Sequence, residues 1–199
     1  MVTQGNIMKR AKLNAEKLKK IALTIIVGVI ILIVGLGIVA PRHFRIEKQL
    51  VVDRPSHIVF EKLKTIKTHV DWNPWTKKDR NIQFDYKGVD GTVGFIAAWK
   101  GNNDVGEGEQ EIKNIVEGKR IDLELRFKKP MEATNQSYFI VEPMYEQQTN
   151  VKWGMTGKLS FPGNVIYMLA NVPKKLGYDF DEGLRVFKAI LEKKPEKED

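Results

Sequence analysis

The sequence holds no cysteine. That excludes disulfide frameworks, thiolate metal sites and a cysteine nucleophile. Histidine is scarce, with three in 199 residues, and His43, His57 and His69 match no HExxH-like ligand spacing, so no metal is expected. Ser56 stands beside His57 in the chain, but adjacent residues do not make a nucleophile and a base oriented by a third group. A glycine-rich phosphate loop following a strand is also missing, which argues against nucleotide binding. Internal repeats and low-complexity linkers are absent. Nothing in the residues asks for a cofactor.

What is present is a globular composition, 42% hydrophobic and 29% charged, with a net charge of +8. The basic excess is concentrated at one end. Residues 1–20 carry Lys9, Arg10, Lys12, Lys17, Lys19 and Lys20 against Glu16 alone, and residues 21–40, IALTIIVGVIILIVGLGIVA, carry no charge. The rest of the chain is nearly balanced, with 27 basic and 24 acidic side chains. A nucleic-acid partner is therefore not expected; a basic tip beside an apolar run suits anionic headgroups and sets topology.

Twenty residues at a rise of about 1.5 Å each make a helix of about 30 Å, the thickness of a bilayer's hydrocarbon core. Residues 21–40 are thus expected to form a single transmembrane helix. The alternative is a cleaved signal peptide, whose apolar region runs about 7 to 15 residues and ends in small residues at the cut. Here the run is longer and ends Ile38-Val39-Ala40 ahead of Pro41. Six basic residues precede it, while Arg42, Arg45, Lys48 and Arg54 follow. The positive-inside rule then makes residues 1–20 a cytoplasmic tip and places the large domain on the extracytoplasmic side of the cell membrane.

Beyond Pro41 the periodicities change in a definite order. Phe44 to Val52 reads as a strand. Ile58, Val59, Leu63 and Ile66 recur at helical spacing behind Pro55, which predicts one or two short helices ending at Trp72-Asn73-Pro74-Trp75. From about 81 to 159 the period is two. Ile82, Phe84 and Tyr86 alternate with polar neighbours, Val93 to Lys100 puts Phe95, Ala97 and Trp99 on one face, and Ile121, Leu123, Leu125 and Phe127 share another. Segments 133–142 and 149–159 complete about seven strands, joined by short turns and hence antiparallel. Val165, Leu169, Val172, Leu176, Phe180, Leu184, Phe187 and Ile190 form a helical stripe, which Pro173 is expected to kink or divide. Residues 193–199 read as a polar tail.

The order strand, short helices, six antiparallel strands and long C-terminal helix predicts an α+β helix-grip fold, a curved antiparallel sheet wrapped round that helix. Over residues 44–192 the chain resembles the START-like (SRPBCC) superfamily, in its polyketide cyclase/dehydrase-type branch. The carrying segments are Pro55 to Phe60, Trp72 to Trp75, Trp99-Lys100-Gly101-Asn102 into Gly106-Glu107-Gly108, Phe127 to Pro130, Val151-Lys152-Trp153 and Gly177 to Leu184. The resemblance implies a deep cavity between sheet and C-terminal helix for a hydrophobic small molecule such as a lipid, sterol or polyketide. Carriers, sensors and enzymes share that fold, so the fold does not choose among them.

The residues expected to line such a cavity are Trp72, Phe95, Trp99, Leu123, Leu125 and Phe127, with Phe139, Trp153 and Met155 from the later strands and Leu169 and Leu176 from the C-terminal helix. Each tryptophan also has a second reading, ordinary core packing. Glu142-Pro143 at the end of its strand favours Phe139 and Val141 inward, which offers Asn135 and Ser137 as polar contacts. Glu107, Glu109 and Glu111 share a face and are read as outward, since three unpaired carboxylates inside would be severely destabilising. That leaves Gly106 and Gly108 facing in.

Three functions follow. The first is a membrane-anchored binding module for a hydrophobic small molecule or lipid. The second is a cyclase or hydrolase acting on a hydrophobic carbonyl compound, with Asp85, Tyr86 and Tyr138 as the acid-base candidates. The third is a structural or partner-binding module with a filled interior.

Overall fold

Alternating apolar residues build one sheet, and every neighbouring pair in it is antiparallel. The computed structural model describes residues 4–193, with side chains from residue 14; residues 1–3 of the basic tip and 194–199 of the polar tail lie outside it. The strands are β1 (His43–Val52), β2 (Gln83–Lys87), β3 (Ile96–Lys100), β4 (Glu107–Val116), β5 (Arg120–Lys129), β6 (Ala133–Tyr145) and β7 (Gln148–Lys158), in the order β1-β7-β6-β5-β4-β3-β2. β3 starts three residues later than the alternation suggests, because Gly94 sits at φ +88 in the preceding turn. This is the expected seven-stranded helix-grip sheet.

The helices lie near where the periodicity places them, with two differences: the first begins at Gln4, well before residue 21, and a further short helix starts at Pro74, inside the cluster expected to end the helical segment. α1 spans Gln4–Val39, and its segment Asn14–Val39 is long and apolar enough to cross a membrane, with almost none of it buried by the rest of the chain. After β1 come α2 (Ser56–Lys64), a 3-10 turn (Ile66–Asp71) and α3 (Pro74–Lys78). Asn73 caps α3 by accepting from Trp75 N at 3.0 Å. The C-terminal stripe is divided: α4 (Gly163–Leu169) ends before Asn171, which takes a left-handed conformation at φ 50, and α5 (Val172–Glu192) begins with Pro173 in its first turn.

α5 lies along β1 and is located by both apolar and polar contacts. Phe180 stacks flat on Trp153, with centroids 4.1 Å apart and planes within 2°. Gly183 makes this approach possible, because a Cβ there would come 2.8 Å from Trp153 Cζ3. Phe187 meets Trp72 at 5.2 Å, and Trp72 meets Phe139 at 5.9 Å. Around this plug, Lys48 pairs with Asp181 at 2.6 Å, Lys188 Nζ donates to Val51 O at 2.7 Å, and Arg54 Nε donates to Leu191 O at 2.6 Å.

His69 is sealed under the plug, against Trp72 at 4.7 Å, with Nε2 2.8 Å from Leu63 O. Burial pushes its pKa down to about 4. Above pH 6.5 the ring is neutral in both the folded and the unfolded chain. As pH falls from 6.5 towards 4, only the unfolded chain takes up the proton, so folding should lose up to about 3 kcal/mol across that window. Urea unfolding at stepped pH checks this, and His69→Phe should remove that part of the slope between pH 6.5 and 5.

Candidate functional site

Cross-strand register sorts the inner face of the sheet into rows running across the strands. The first, at the α5 plug, joins Ile121, Phe139, Trp153 and Lys48. The second joins Ile112, Leu123, Ser137, Met155 and Ile46. Every apolar member of these two rows is buried. Ser137 is buried as well, donating to Gly154 O at 2.9 Å and accepting from Trp153 Nε1 at 3.3 Å.

The next two rows differ. The third joins Tyr86, Ala97, Gln110, Leu125, Asn135, Gly157 and Phe44, and the fourth joins Phe84, Trp99, Gly108, Phe127 and Ala133. Leu125, Phe127, Trp99 and Phe84 are only half-buried. Two glycines shape these rows. Trp99 packs over Gly108, where a Cβ would come 2.5 Å from its ring, and the Asn135 amide and Phe44 ring lie over Gly157. Gln110 and Asn135 flank Leu125 on either side, and neither side chain hydrogen-bonds to a protein group among the described residues. This half-open apolar surface with two amides sits at the end of the sheet where β1 leaves α1.

The expected lining residues therefore separate into three groups. Trp72, Phe95, Leu123, Phe139, Trp153 and Met155 are buried members of the hydrophobic core. The deep cavity expected under the C-terminal helix is filled there, because interlocking aromatic rings occupy the volume. Trp99, Leu125 and Phe127 form the half-open rows, and Leu176 packs partly buried on α5. Leu169 is a correction: it stands on α4 and is 69% exposed, because the break at Asn171 turns it out of phase with the α5 stripe.

Two of the three acid-base candidates also lie elsewhere. Asp85 alternates with the inward Phe84 and Tyr86 and is exposed on the outer face. Tyr138 alternates with Ser137 and Phe139, so it too is on the outer face. There it donates to Glu47 and is covered by Arg120, 4.5 Å from its ring centroid. Tyr86 does face inward, 6.0 Å from Phe95 and 6.1 Å from Phe84, and burial raises its pKa. Glu109 and Glu111 are outward, as expected, and together with Glu124 they surround Arg126 at 2.5–2.7 Å. The guanidinium lowers the pKa of all three carboxyls. Glu107 pairs with Lys129 at 2.9 Å.

Sequence reasoning missed Gln110, although alternation two residues past the inward Gly108 could have found it. It also missed Lys48, which interrupts the apolar inner face of β1 and finds Asp181 across the gap to α5. A depression of about 440 Å³ lies outside this region, between Pro55-Ser56-His57 and the β6–β7 turn at Pro143–Gln147. Most of the residues lining it are exposed, so it is a surface hollow rather than an interior cavity.

No protein-family model matches the sequence, and no curated protein matches it. The fold is shared with solved structures. Norcoclaurine synthase from Thalictrum flavum, solved in complex with dopamine and hydroxybenzaldehyde, aligns with a TM-score of 0.58 at 12% identity, covering 81% of this chain and 94% of that one. Protein CV1439 from Chromobacterium violaceum aligns at 0.54 and 13% identity, covering 75% and 98%. Ara h 8.0201 aligns at 0.53 and 13% identity, covering 75% and 97%. The likeness establishes the helix-grip fold.

The division of the tryptophans into plug and open rows has an energetic consequence. Trp153→Ala should cost about 3–5 kcal/mol by removing a fully packed ring, whereas Trp99→Ala should cost about 1 kcal/mol. Urea midpoints at unchanged m-value measure both.

Proposed function

We propose that the chain is a single-pass membrane-anchored module that binds a hydrophobic small molecule or lipid on the half-open rows of its sheet. The observation that carries this reading is the pair of side-chain amides, Gln110 and Asn135, which have no hydrogen-bond partner among the described residues and stand on either side of Leu125 in an apolar surface. Binding sites combine apolar walls with a few polar groups that fix orientation, and these rows have that make-up. The apolar part of the ligand would gain about 25 cal/mol for each Å² it buries against Trp99, Leu125 and Phe127. Its polar end would meet the amides, which offer both donors and acceptors. A ligand with a carbonyl or hydroxyl on an apolar body fits that pattern.

Anchoring follows from Asn14–Val39, with the basic tip cytoplasmic and the domain outside. The open rows lie at the end of the sheet nearest that helix, so a ligand partitioned in the bilayer has a short path to them. Two neighbours lend support by analogy of fold: norcoclaurine synthase was solved with dopamine and hydroxybenzaldehyde, and a protein in the dynemicin biosynthetic locus shares the architecture over 47% of its length with a TM-score of 0.51. The enzyme reading has lost Asp85 and Tyr138 from the interior and keeps Tyr86 alone. The filled plug favours the structural reading for the α5 half of the sheet, which is why the proposed site is confined to the third and fourth rows.

Titrating the full chain in detergent with an apolar fluorescent probe tests the site. Leu125→Trp should fill the third row and weaken probe binding about tenfold, a loss of about 1.4 kcal/mol, with little change in melting temperature. Leu169→Trp, outside the rows, should leave binding unchanged. Equal behaviour of the two variants would refute the assignment.

A further inference from the structure

From Leu159 to Pro173 the chain carries no charged side chain, and it is bracketed by Lys158 on one side and Lys174 and Lys175 on the other. α4 lies within this stretch. Its Asn164 and Val165 are buried, while Ile166 and Leu169, three residues apart and so on one face, are exposed. Phe161, just before α4, is 56% exposed, and exposed Met131 in the β5–β6 turn reaches to the start of the helix, its Cε 3.9 Å from where a Cβ on Gly163 would stand. A helix in water would ordinarily turn polar residues outward. This one presents an apolar face edged by lysines.

Its position is set by a built joint to α1. The Gly37 carbonyl would normally accept from the amide four residues on, but that residue is Pro41, which has no N–H. Asn164 Nδ2 takes its place, donating to Gly37 O at 3.0 Å and to Ala40 O at 3.4 Å. Phe161 packs on Gly37 so closely that a Cβ there would come 2.6 Å from its Cδ2. α4 is therefore held at the level of the last turn of α1, beside exposed Ile38 and Val39.

We propose that α4 is a second membrane contact, an interfacial helix seated on the bilayer at the point where α1 leaves it. Phe161, Ile166, Leu169 and Met131 face the acyl chains, and Arg42, Lys158, Lys174 and Lys175 meet anionic headgroups. This rests on reading α1 as a membrane span. The charge-free stretch with basic flanks, continuous with the apolar end of α1, fits a lipid surface better than a protein partner. Tyr167 of the same helix stacks on Phe44 of the third row at 5.0 Å, so the contact would hold the open end of the sheet against the membrane.

Because the chain has no native cysteine, single labels test this directly in the full-length protein. Ile30→Cys in α1, Ile166→Cys and Leu169→Cys in α4, and Gln147→Cys in the far β6–β7 turn would each carry bimane. The protein would be reconstituted in phosphatidylcholine–phosphatidylglycerol vesicles with and without brominated acyl chains. Labels at 30, 166 and 169 should lose about half their intensity or more to brominated lipid, and the label at 147 should lose none. If positions 166 and 169 behave like 147 while 30 is quenched, the α4 contact is wrong and the span stands. If 30 also escapes quenching, the span reading fails and the inference fails with it. Shielding of 166 and 169 from both brominated lipid and aqueous iodide would mean that a second copy covers the face, which also overturns the proposal.

Discussion

The stack of Phe180 on Trp153 is the contact on which the rest of the molecule depends. It sets the depth at which α5 meets the sheet, and Gly183 permits that depth by having no side chain. Trp72 then meets Trp153, Phe139 and Phe187 at edge-to-face angles, the geometry that aromatic quadrupoles favour, and Phe139 lies tilted against Trp153. With its helix drawn onto β1 and the plug, the sheet has nothing left to cover its third and fourth rows to the same degree. The solid core and the half-open surface are thus two results of one packing decision.

Lys48 and Asp181 reinforce that decision at modest energetic value, since both remain about a third exposed and solvent screens the pair. Their contribution is positional: an inward lysine on β1 is tolerable only if α5 brings it a carboxylate. The glycines act in the opposite sense. At 108 and 157 they let Trp99, Phe44 and Asn135 approach the sheet more closely than any side chain there would allow.

Much of this arrangement was legible in the residues. The period of two from Ile121 to Phe127 identified one inward face, and Pro173 marked the division of the C-terminal stripe. Parity also carried more than was taken from it: once Phe139 and Phe84 face in, Tyr138 and Asp85 must face out, whatever their chemistry suggests. Burial misleads in the case of Tyr138, which is hidden on the outer face under Arg45 and Arg120. What no pattern along the chain reveals is how far each inward residue is covered. Leu123 and Leu125 are equivalent in sequence, yet one is core and the other half-buried. Leu169 escaped for a local reason, since a single left-handed residue at Asn171 resets the helical phase.

Native mass spectrometry of the full chain released from lipid nanodiscs decides whether the rows around Leu125 hold a hydrophobic molecule drawn from the bilayer. A bound apolar species near one per chain is expected, and it should disappear in the double variant Gln110→Leu, Asn135→Leu, which keeps the surface apolar but removes its orienting amides. A ladder of bulk lipids without fixed stoichiometry, identical in the wild-type chain and the double variant, would contradict that assignment.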